Sequence, residues 1–468
     1  MKLKPVFMIL GGLSLASSAS YAVAPSTTST VTQNKPTATQ VTTLTPPAKT
    51  KTVVASTTTN KPSATPKPKL ATNKTALIEQ SANDPNEIKA EIVALDEQIK
   101  SINNIADVPE GKWNWYQHIR LSGLVNVDAS HWSKPYFGMG TRDTKSSSYL
   151  SLSEANLNVD ADFGQWITAH IGFLYTNGSS PSVVNFSPSK LVNRRFNVWD
   201  AYGTIANFKK TPFYLRAGEQ FVPFGRYKMF PITQSFAQIL EETDLPSVQL
   251  GFLSKKGVYA SIFVMSGERK KGHSNSNQLN NYGLALGYQN YRHAVGYNFG
   301  LSFLSNMANV DSIRDIVQDN KGYTRDVGGF SAFADAFLGP FNFGLRYVTA
   351  LKRFSAVDYQ YTHNATTRGA KPNASDIFAG YSFKSFGHHS RIHLSYQWTN
   401  QAYNTATIVT PNNVTRLPKT RWLVEYGVNL IRQLALELQF YQDHDYPKSN
   451  GATNKENNVV TARLSFLF

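Results

Sequence analysis

The closing stretch of the chain, residues 459–468, reads Val-Val-Thr-Ala-Arg-Leu-Ser-Phe-Leu-Phe, and its pattern decides the fold. Apolar residues occupy every second position up to Phe466 and Phe468, whereas Thr461, Arg463 and Ser465 lie between them. A period of two residues is typical of a β-strand with one apolar and one polar face. The same alternation recurs in residues 154–163, 391–399, 421–430 and 433–441.

Sixteen segments with this alternation are predicted beyond residue 116. Most are longer than the roughly 5–6 residues of globular strands, and they match the roughly 9–11 residues that a tilted membrane strand needs. Aromatic residues tend to end the apolar face, as in the aromatic girdles of membrane barrels. The predicted strands are 117–131, 148–163, 166–176, 197–207, 213–222, 245–253, 257–266, 281–289, 292–305, 329–338, 341–352, 375–384, 389–400, 420–430, 433–442 and 457–468.

The connections between these segments alternate between short turns and long loops. Short turns are predicted at Gly164-Gln165, Gly339-Pro340 and Ile431-Arg432, among others. An even strand number with short turns at one end and long loops at the other is the outer-membrane pattern. We therefore predict an all-β fold, a 16-stranded antiparallel transmembrane outer-membrane β-barrel over residues 111–468. The alternative is a secreted array of β-sandwiches.

The residues before the barrel divide into three predicted segments. Residues 1–22 have Lys2 and Lys4, a short apolar core and small residues near Ala22, as a signal peptide does. Residues 23–75, rich in Thr, Pro and Lys, are predicted to be a disordered tether. Residues 76–110 are predicted to form a short periplasmic helix or coiled coil, compatible with a homotrimer. Its apolar seam consists of Ile88, Ile92, Leu95, Ile99 and Ile102.

The composition of the chain excludes several classes of function. The chain of 468 residues has no cysteine, which excludes disulfides, thiol nucleophiles and cysteine-bound metals. Its net charge of +16 is compatible with nucleic acid, an acidic membrane surface or anionic ligands. The export signal argues against nucleic acid. No motif for catalysis or phosphate binding is present, so we predict no enzyme activity and no cofactor. His388, His389, His393 and Asp376 could in principle form a metal site, but His388 and His389 lie at a predicted short turn, so we interpret them as turn residues and predict no metal.

Most of the surplus charge belongs to the predicted barrel. Residues 111–468 contain 36 basic and 23 acidic residues, a net charge of +13. Because a charge facing lipid costs about 2–4 kcal/mol at the bilayer midplane, these residues are expected in the lumen, turns and loops. Parity along the strands points six arginines inward: Arg120, Arg216, Arg346, Arg391, Arg421 and Arg463. Basic residues also occur in the long loops at Arg194-Arg195, Arg269-Lys270-Lys271, Lys352-Arg353 and Arg416.

Two interpretations of these arginines stay open. Rings of arginine or lysine select anions in channels. Alternatively, the arginines pair with acidic lumen residues, or basic loops bind anionic lipopolysaccharide. The acidic candidates are Asp128, Glu154, Asp160, Asp162, Glu425 and Glu437.

The third long loop, residues 223–244, is aromatic, rich in proline and basic near its start. In a wide barrel such a loop either folds inward as a constriction or packs as an exposed hairpin on its neighbours. In the first case Arg226 and Lys228 would meet the solute at the narrowest point. The predicted substrate path therefore consists of Arg216, Arg226, Lys228, Arg346, Arg391, Arg421 and Arg463.

Short motifs at the third long loop carry a family resemblance. Leu215-Arg216-Ala217-Gly218, followed by Gln220-Phe221-Val222-Pro223-Phe224-Gly225, resembles phosphate-selective porins. With Trp199-Asp200-Ala201-Tyr202-Gly203, the Thr/Pro-rich leader and the short helix, residues 75–468 more closely resemble the siderophore porins of Legionella-like bacteria, the legiobactin receptor type. That resemblance implies uptake of a ferric siderophore through a barrel without a plug domain. It identifies no ligand-binding residue.

These observations predict a porin of the Gram-negative outer membrane that takes up an anionic solute, most specifically a ferric siderophore. The expected partners are outer-membrane lipid, lipopolysaccharide and the anionic solute. One alternative is a general or phosphate-preferring anion porin. A second is a structural or adhesive barrel whose lumen is filled by side chains.

Overall fold

The structure is a computed structural model of the chain. It describes residues 118–133, 146–176, 196–227, 232–267, 279, 281–290, 295–314, 317, 323–364, 366–402, 417–431 and 433–468. The predicted signal peptide, tether and helix or coiled coil lie outside the described residues. So do Arg194, Arg195, Lys228, Arg269, Lys270, Lys271 and Arg416.

Sixteen antiparallel strands close into one barrel, as the sequence predicts. Each predicted segment coincides with a barrel strand to within three residues at either end. The barrel strands are β1 (Ile119–Trp132), β2 (Ser147–Phe163), β3 (Ile167–Thr176), β4 (Phe196–Ala206), β5 (Phe213–Phe221), β6 (Asp244–Leu253), β7 (Val258–Met265), β8 (Asn281–Asn290), β9 (Val295–Leu304), β10 (Gly329–Leu338), β11 (Phe341–Ala350), β14 (Asn373–Ser385), β15 (His388–Asn400), β16 (Thr420–Ile431), β17 (Leu434–His444) and β18 (Glu456–Leu467).

Neighbouring barrel strands are also neighbours in the chain, except at the seam where β1 pairs with β18. At that seam Val127 lies opposite Leu464, and Asp128 lies opposite Arg463. The Phe468 backbone adds two further bonds, since Gly123 N donates to Phe468 O over 2.9 Å and Phe468 N donates to Gly123 O over 3.1 Å. Closure leaves no unpaired strand edge within the barrel.

The outer face of the barrel is apolar. Outward side chains at mid-strand are about half exposed in the isolated chain, at 47% for Leu250, 59% for Ile262 and 52% for Leu301. Aromatic rings band the short-turn end of the wall, where the Phe341 and Tyr381 ring centroids lie 4.9 Å apart. An apolar band with aromatic girdles is the surface of a barrel that crosses an outer membrane.

Small elements that the sequence did not predict lie in the long loops. Helix α1 (Phe236–Glu241) follows β5, and helix α2 (Asp311–Arg314) with the 3-10 turn Met307–Asn309 follows β9. Strands β12 (Gln360–His363) and β13 (Thr366–Gly369) form a separate hairpin between β11 and β14. A second 3-10 turn, Lys448–Asn450, precedes β18. Within the described part of the chain, no helix has the length and apolarity needed to cross a membrane.

Candidate functional site

The inner wall carries the arginines that strand parity assigned to it. Arg216, Arg346, Arg421 and Arg463 are buried, at 1%, 2%, 4% and 8% relative exposure. Arg391 and Arg120 also point inward, with side chains that are 22% and 39% exposed. Inward placement follows from the period-two geometry of the strands, which alternate between lumen and lipid.

Two of these arginines form bidentate ion pairs with a carboxylate directly across the strand ladder. Arg421 Nε and Nη2 donate to the two carboxylate oxygens of Asp443 over 2.6 and 2.9 Å. Arg463 Nε and Nη2 donate to Asp128 over 2.7 and 2.8 Å. Paired guanidinium and carboxylate groups satisfy each other where an isolated buried charge would be costly.

Three more arginines are also neutralised by acids. Arg391 Nη2 donates to Glu437 Oε1 over 2.6 Å, and Arg120 pairs with Asp162. From the loop after β5, Arg226 Nε lies 2.8 Å from Asp335 Oδ2 on β10. Pairing with lumen acids, one of the two interpretations open at the sequence level, therefore describes five arginines of the inner wall and its loop.

Arg216 is held differently. Its Nε donates to Thr204 Oγ1 over 3.1 Å, and its guanidinium carbon lies 4.6 Å from the centre of the Tyr202 ring. Its Nη2 is buried and has no hydrogen-bond partner among the described residues. Arg216 therefore keeps a positive charge and at least one unused donor inside the barrel.

Arg346 resembles Arg216 but has acids nearby. Its guanidinium lies 5.5 Å from the Phe378 ring centre, and its Nε and Nη2 have no hydrogen-bond partner among the described residues. In the ladder it lies opposite Asp376, and its charge interacts favourably with Asp376 and with Glu241 of α1. The positive charge of Arg346 is therefore partly neutralised by these two acids.

The loop after β5, which the structure describes at residues 222–227 and 232–243, enters the barrel and reaches the wall formed by β14 to β17. The backbone N–H of Ile232 donates to Glu425 Oε2 of β16 over 2.8 Å. The N–H groups at the start of α1 donate to the same side of the wall, from Phe236 to Gln397 Oε1 and from Ala237 to Asp376 Oδ2, each over 3.1 Å. The wall thus caps the helix, and the inward interpretation of this loop is the one that the structure shows.

Apolar side chains hold the loop in place. Phe224, Phe236 and Leu240 are fully buried and join one cluster with Met307 and Val310 of the loop after β9. Residues of the later long loops, including Phe354, Tyr359, Leu417 and Tyr446, belong to the same cluster. The long-loop end of the lumen is therefore filled by a shared hydrophobic core rather than lined by separate loops.

Two neighbouring acidic residues of this loop have shifted pKa values, Glu241, which is buried, and Glu242, which is half-buried. Burial raises the pKa of Glu241 to about 8, although Ser331 Oγ donates to it over 2.6 Å and the N–H of Arg226 donates over 3.1 Å. Burial, together with the nearby charges of Asp311 and Asp244, raises the pKa of Glu242 to about 8. Both carboxyl groups change protonation near neutral pH while the loop is packed.

Several of these partners were not identified from the sequence. Asp443 continues the inward face of β17 by one step beyond Tyr441, so a longer predicted strand would have found it. Asp335 and Gln397 lie on inward faces too, but their contacts with the loop depend on how far the loop reaches. Lys228 of the predicted path lies outside the described residues.

Known bacterial proteins are similar to this chain in sequence. No family model matches the sequence. The chain is 27% identical over 341 residues to a UPF0422 protein of Coxiella burnetii, covering 69% of each chain. It is 24% identical over 383 residues to a UPF0422 protein of Legionella pneumophila strain Philadelphia 1, covering 75% of this chain and 66% of the relative. The chain thus spans about two thirds of the length of these relatives.

Solved structures with a similar fold include bacterial channels and porins. The DcaP channel of Acinetobacter baumannii matches with a TM-score of 0.48 at 10% identity, over 75% of this chain and 97% of that one. The anion-selective porin of Comamonas acidovorans matches with a TM-score of 0.47 at 12% identity, over 75% and 99%. The closed 16-stranded wall and the apolar outer band of this chain are those of a porin-like outer-membrane β-barrel.

Proposed function

We propose that the protein is an outer-membrane channel for an anionic solute, with a ferric siderophore as the most specific candidate. The observation that carries the proposal is Arg216, a buried cation on the inner wall without a carboxylate hydrogen-bonded to it. A channel of this kind moves solute rather than transforming it. The barrel begins and ends at the short-turn end, which we assign to the periplasm, together with the residues that precede it.

Exposed charges at the two rims of the barrel, its long-loop end and its short-turn end, also favour anions over cations. At the long-loop end, exposed basic side chains outnumber the exposed acidic residues Asp326 and Glu456 in the described part of the chain. Basic rims raise the local concentration of anions and steer them to a channel mouth. The exposed basic residues are Arg325, Lys352, Arg368, Lys419, Lys448 and Lys455 at the long-loop end, and Lys209, Lys210, Lys255, Lys256 and Lys384 at the short-turn end.

The siderophore part of the proposal rests on the resemblance of residues 75–468 to siderophore porins and on the anionic character of carboxylate siderophores. A general or phosphate-preferring anion channel would use the same charges. The homotrimer, suggested by the isoleucine seam before the barrel, and a contact of basic loops with lipopolysaccharide stay predictions.

Planar-bilayer recording separates these candidates. An anion channel gives a reversal potential shifted toward that of the anion in a salt gradient. A dedicated siderophore path is additionally blocked by the ferric siderophore at concentrations far below those at which phosphate acts. Normal growth of a deletion strain on the siderophore as sole iron source would rule out the siderophore candidate.

One observation favours a second candidate, a structural or adhesive barrel. The hydrophobic core formed by the long loops occupies the long-loop end of the lumen. If that core never opens, reconstituted protein gives no conductance under any gradient, and the channel proposal is abandoned in favour of this candidate.

A further inference from the structure

A set of polar side chains faces the lumen beside Arg216 on β5 and β6. In the ladder, Gln249 lies opposite Arg216, and Ser247 lies opposite Gly218. Gln220 is two positions beyond Gly218 on the same face of β5. Opposite residues on one face lie about 4.5–5.5 Å apart and diagonal ones about 7–8 Å apart. Gln249 therefore adjoins Arg216, and Ser247 lies diagonal to both Arg216 and Gln220, which are about 13 Å apart along β5. Ser247 thus joins these groups into one row. We call Arg216, Gln220, Ser247 and Gln249 the β5–β6 polar patch.

Every member of this patch is buried and has an unsatisfied polar atom. The relative exposures are 1% for Arg216, 0% for Gln220, 6% for Ser247 and 2% for Gln249. Arg216 Nη2, both amide atoms of Gln220, Ser247 Oγ and Gln249 Oε1 have no hydrogen-bond partner among the described residues. Since a buried polar atom without a partner costs about 1–3 kcal/mol, a ligand that supplied these hydrogen bonds would be stabilised here.

Neighbouring groups fix the orientation of the patch. Thr204 Oγ1 and the Tyr202 ring hold the guanidinium of Arg216 through Nε and one face, so Nη2 stays available. Gln249 Nε2 donates to Tyr214 Oη over 2.8 Å, which leaves Gln249 Oε1 as a free acceptor. The donors and acceptors of the patch are therefore pre-oriented before any ligand arrives.

We infer that the β5–β6 polar patch is a binding subsite for an oxyanion, the carboxylate or phosphate group of a solute. Arg216 Nη2, Gln220 Nε2 and Ser247 Oγ donate to the oxyanion. Gln249 Oε1 and Gln220 Oε1 accept hydrogen bonds from hydroxyl or amide groups beside it. This inference deepens the proposed function and rests on it, because it adds a specific docking point to an anion path.

Charge explains why the subsite lies here and not at another arginine. Arg421 and Arg463 are each neutralised by a bidentate carboxylate. Arg346 has Asp376 and Glu241 near its guanidinium. A second anion would be repelled at these places, whereas no member of the patch is a carboxylate. The acid on the neighbouring strand β4, Asp200, lies 3.2 Å from Nε2 of His170 and is partnered there.

The test uses the full-length protein in detergent with inorganic phosphate and with malate, a hydroxycarboxylate, as separate probes. Binding is followed by nuclear magnetic resonance, which does not depend on transport. We expect Arg216→Gln to weaken binding of at least one probe by about tenfold to a hundredfold, because a charge-assisted hydrogen bond is lost. Lys371→Gln removes a positive charge from a half-buried loop position outside the patch and the two rims, and should leave binding unchanged.

A second variant keeps the test decisive if Arg216→Gln does not fold. Gln220→Met removes two unpartnered buried atoms, so the free protein should be as stable as the wild type or more stable, while binding weakens. Heat-modifiable migration on gels reports folding. A Gln220→Met protein that is less stable but binds both probes normally overturns the subsite.

The two proposals fail in different ways. Probe binding that depends on Arg216, in a protein without conductance, keeps the subsite and removes the channel. Anion-selective conductance combined with probe binding that neither variant changes, or with no binding of either probe, removes the subsite and keeps the channel.

Discussion

Arg421 shows how a single residue makes a charge acceptable inside the barrel. Its guanidinium lies 4.7 Å from the Phe236 ring centre of α1 and 4.3 Å from that of Tyr441 on the wall. Asp443 binds its edge through two hydrogen bonds. The two rings exclude water from the faces while the carboxylate satisfies the charge, so the same residue fixes the wall and the inserted loop.

Replacing Arg421 alone should be costly. Arg421→Gln leaves Asp443 buried without its partner, and we expect the free energy of unfolding to fall by about 3–5 kcal/mol. Urea unfolding of the protein in lipid vesicles measures this. The double variant Arg421→Met with Asp443→Leu removes both charges and should lose much less. Equal losses in the single and double variants would show that stacking on the rings, not the ion pair, dominates.

The sequence predicts which arginines face the lumen better than it predicts which acid each arginine pairs with. Strand parity placed Arg216 and Arg421 inward, because the side-chain period of a strand is two whatever the register. Which acid meets which arginine depends on the register and on side-chain reach. The ladder sets Arg421 opposite Asp443 and Arg216 opposite Gln249, so one charge is neutralised and the other is not.

The inserted loop shows why some elements escape sequence analysis. Helix α1 has six residues and all of them are buried, with its first N–H groups bound by Gln397 and Asp376 of the wall. A helix this short does not form in isolation, because nucleation is unfavourable. Its stability comes from distant residues, so local pattern indicated an unusual loop at 223–244 but neither the helix nor its docking surface.

The loop should respond to pH. Glu241 and Glu242 have a pKa near 8 when packed, against 4.5 as the ordinary value. Between those limits the packed state binds more protons than the unpacked state, so packing becomes less stable as pH rises from about 4.5 to 8. Hydrogen exchange of residues 232–243 should therefore be slower at pH 5.5 than at pH 8.5.

Variants assign this pH dependence to the two carboxyl groups. Glu241→Gln should reduce it, and the double variant with Glu242→Gln should reduce it further, because an amide does not titrate in this range. Exchange that is insensitive to pH in the wild type, after correction for the intrinsic rate, would contradict the expectation.

Loosening the loop should widen the channel. Phe236 is a fully buried residue of the loop itself, at the start of α1, and Phe236→Ala removes contacts that are typically worth about 3–5 kcal/mol. We expect a higher single-channel conductance with an unchanged barrel, read from unchanged heat-modifiable migration. Phe386→Ala, at a turn residue that is 98% exposed, is the matched control. Unchanged conductance in Phe236→Ala would show that this loop does not set the constriction.

The barrel wall and the packing inside the barrel differ in how far the sequence predicts them. The sixteen strands were predictable because lipid and lumen impose a regular alternation on every one of them. The hydrophobic core inside the long-loop end was not, because it joins Phe224, Met307, Phe354 and Tyr446 from four separate loops. In the described part of the chain, exposed basic side chains lie at both rims, while most inner arginines meet an acid.

Closure of the barrel can be tested at the seam between the first and last strands. A side chain at Gly123 would meet the Phe468 ring at 2.3 Å and the Asn156 backbone oxygen at 2.7 Å. The ring could swing away, but the oxygen is part of the β1–β2 ladder. Gly123→Leu should therefore lower the free energy of unfolding by about 1–3 kcal/mol.

The matched control for the seam is Gly203→Leu on β4, where the nearest atom to a new Cβ is the Thr168 backbone oxygen at 3.9 Å. That glycine faces outward, so the added side chain enters lipid and should leave stability unchanged or slightly higher. Urea unfolding in vesicles compares the two variants. Equal stability would mean that the β1–β2 ladder beside the seam accommodates the added side chain without cost.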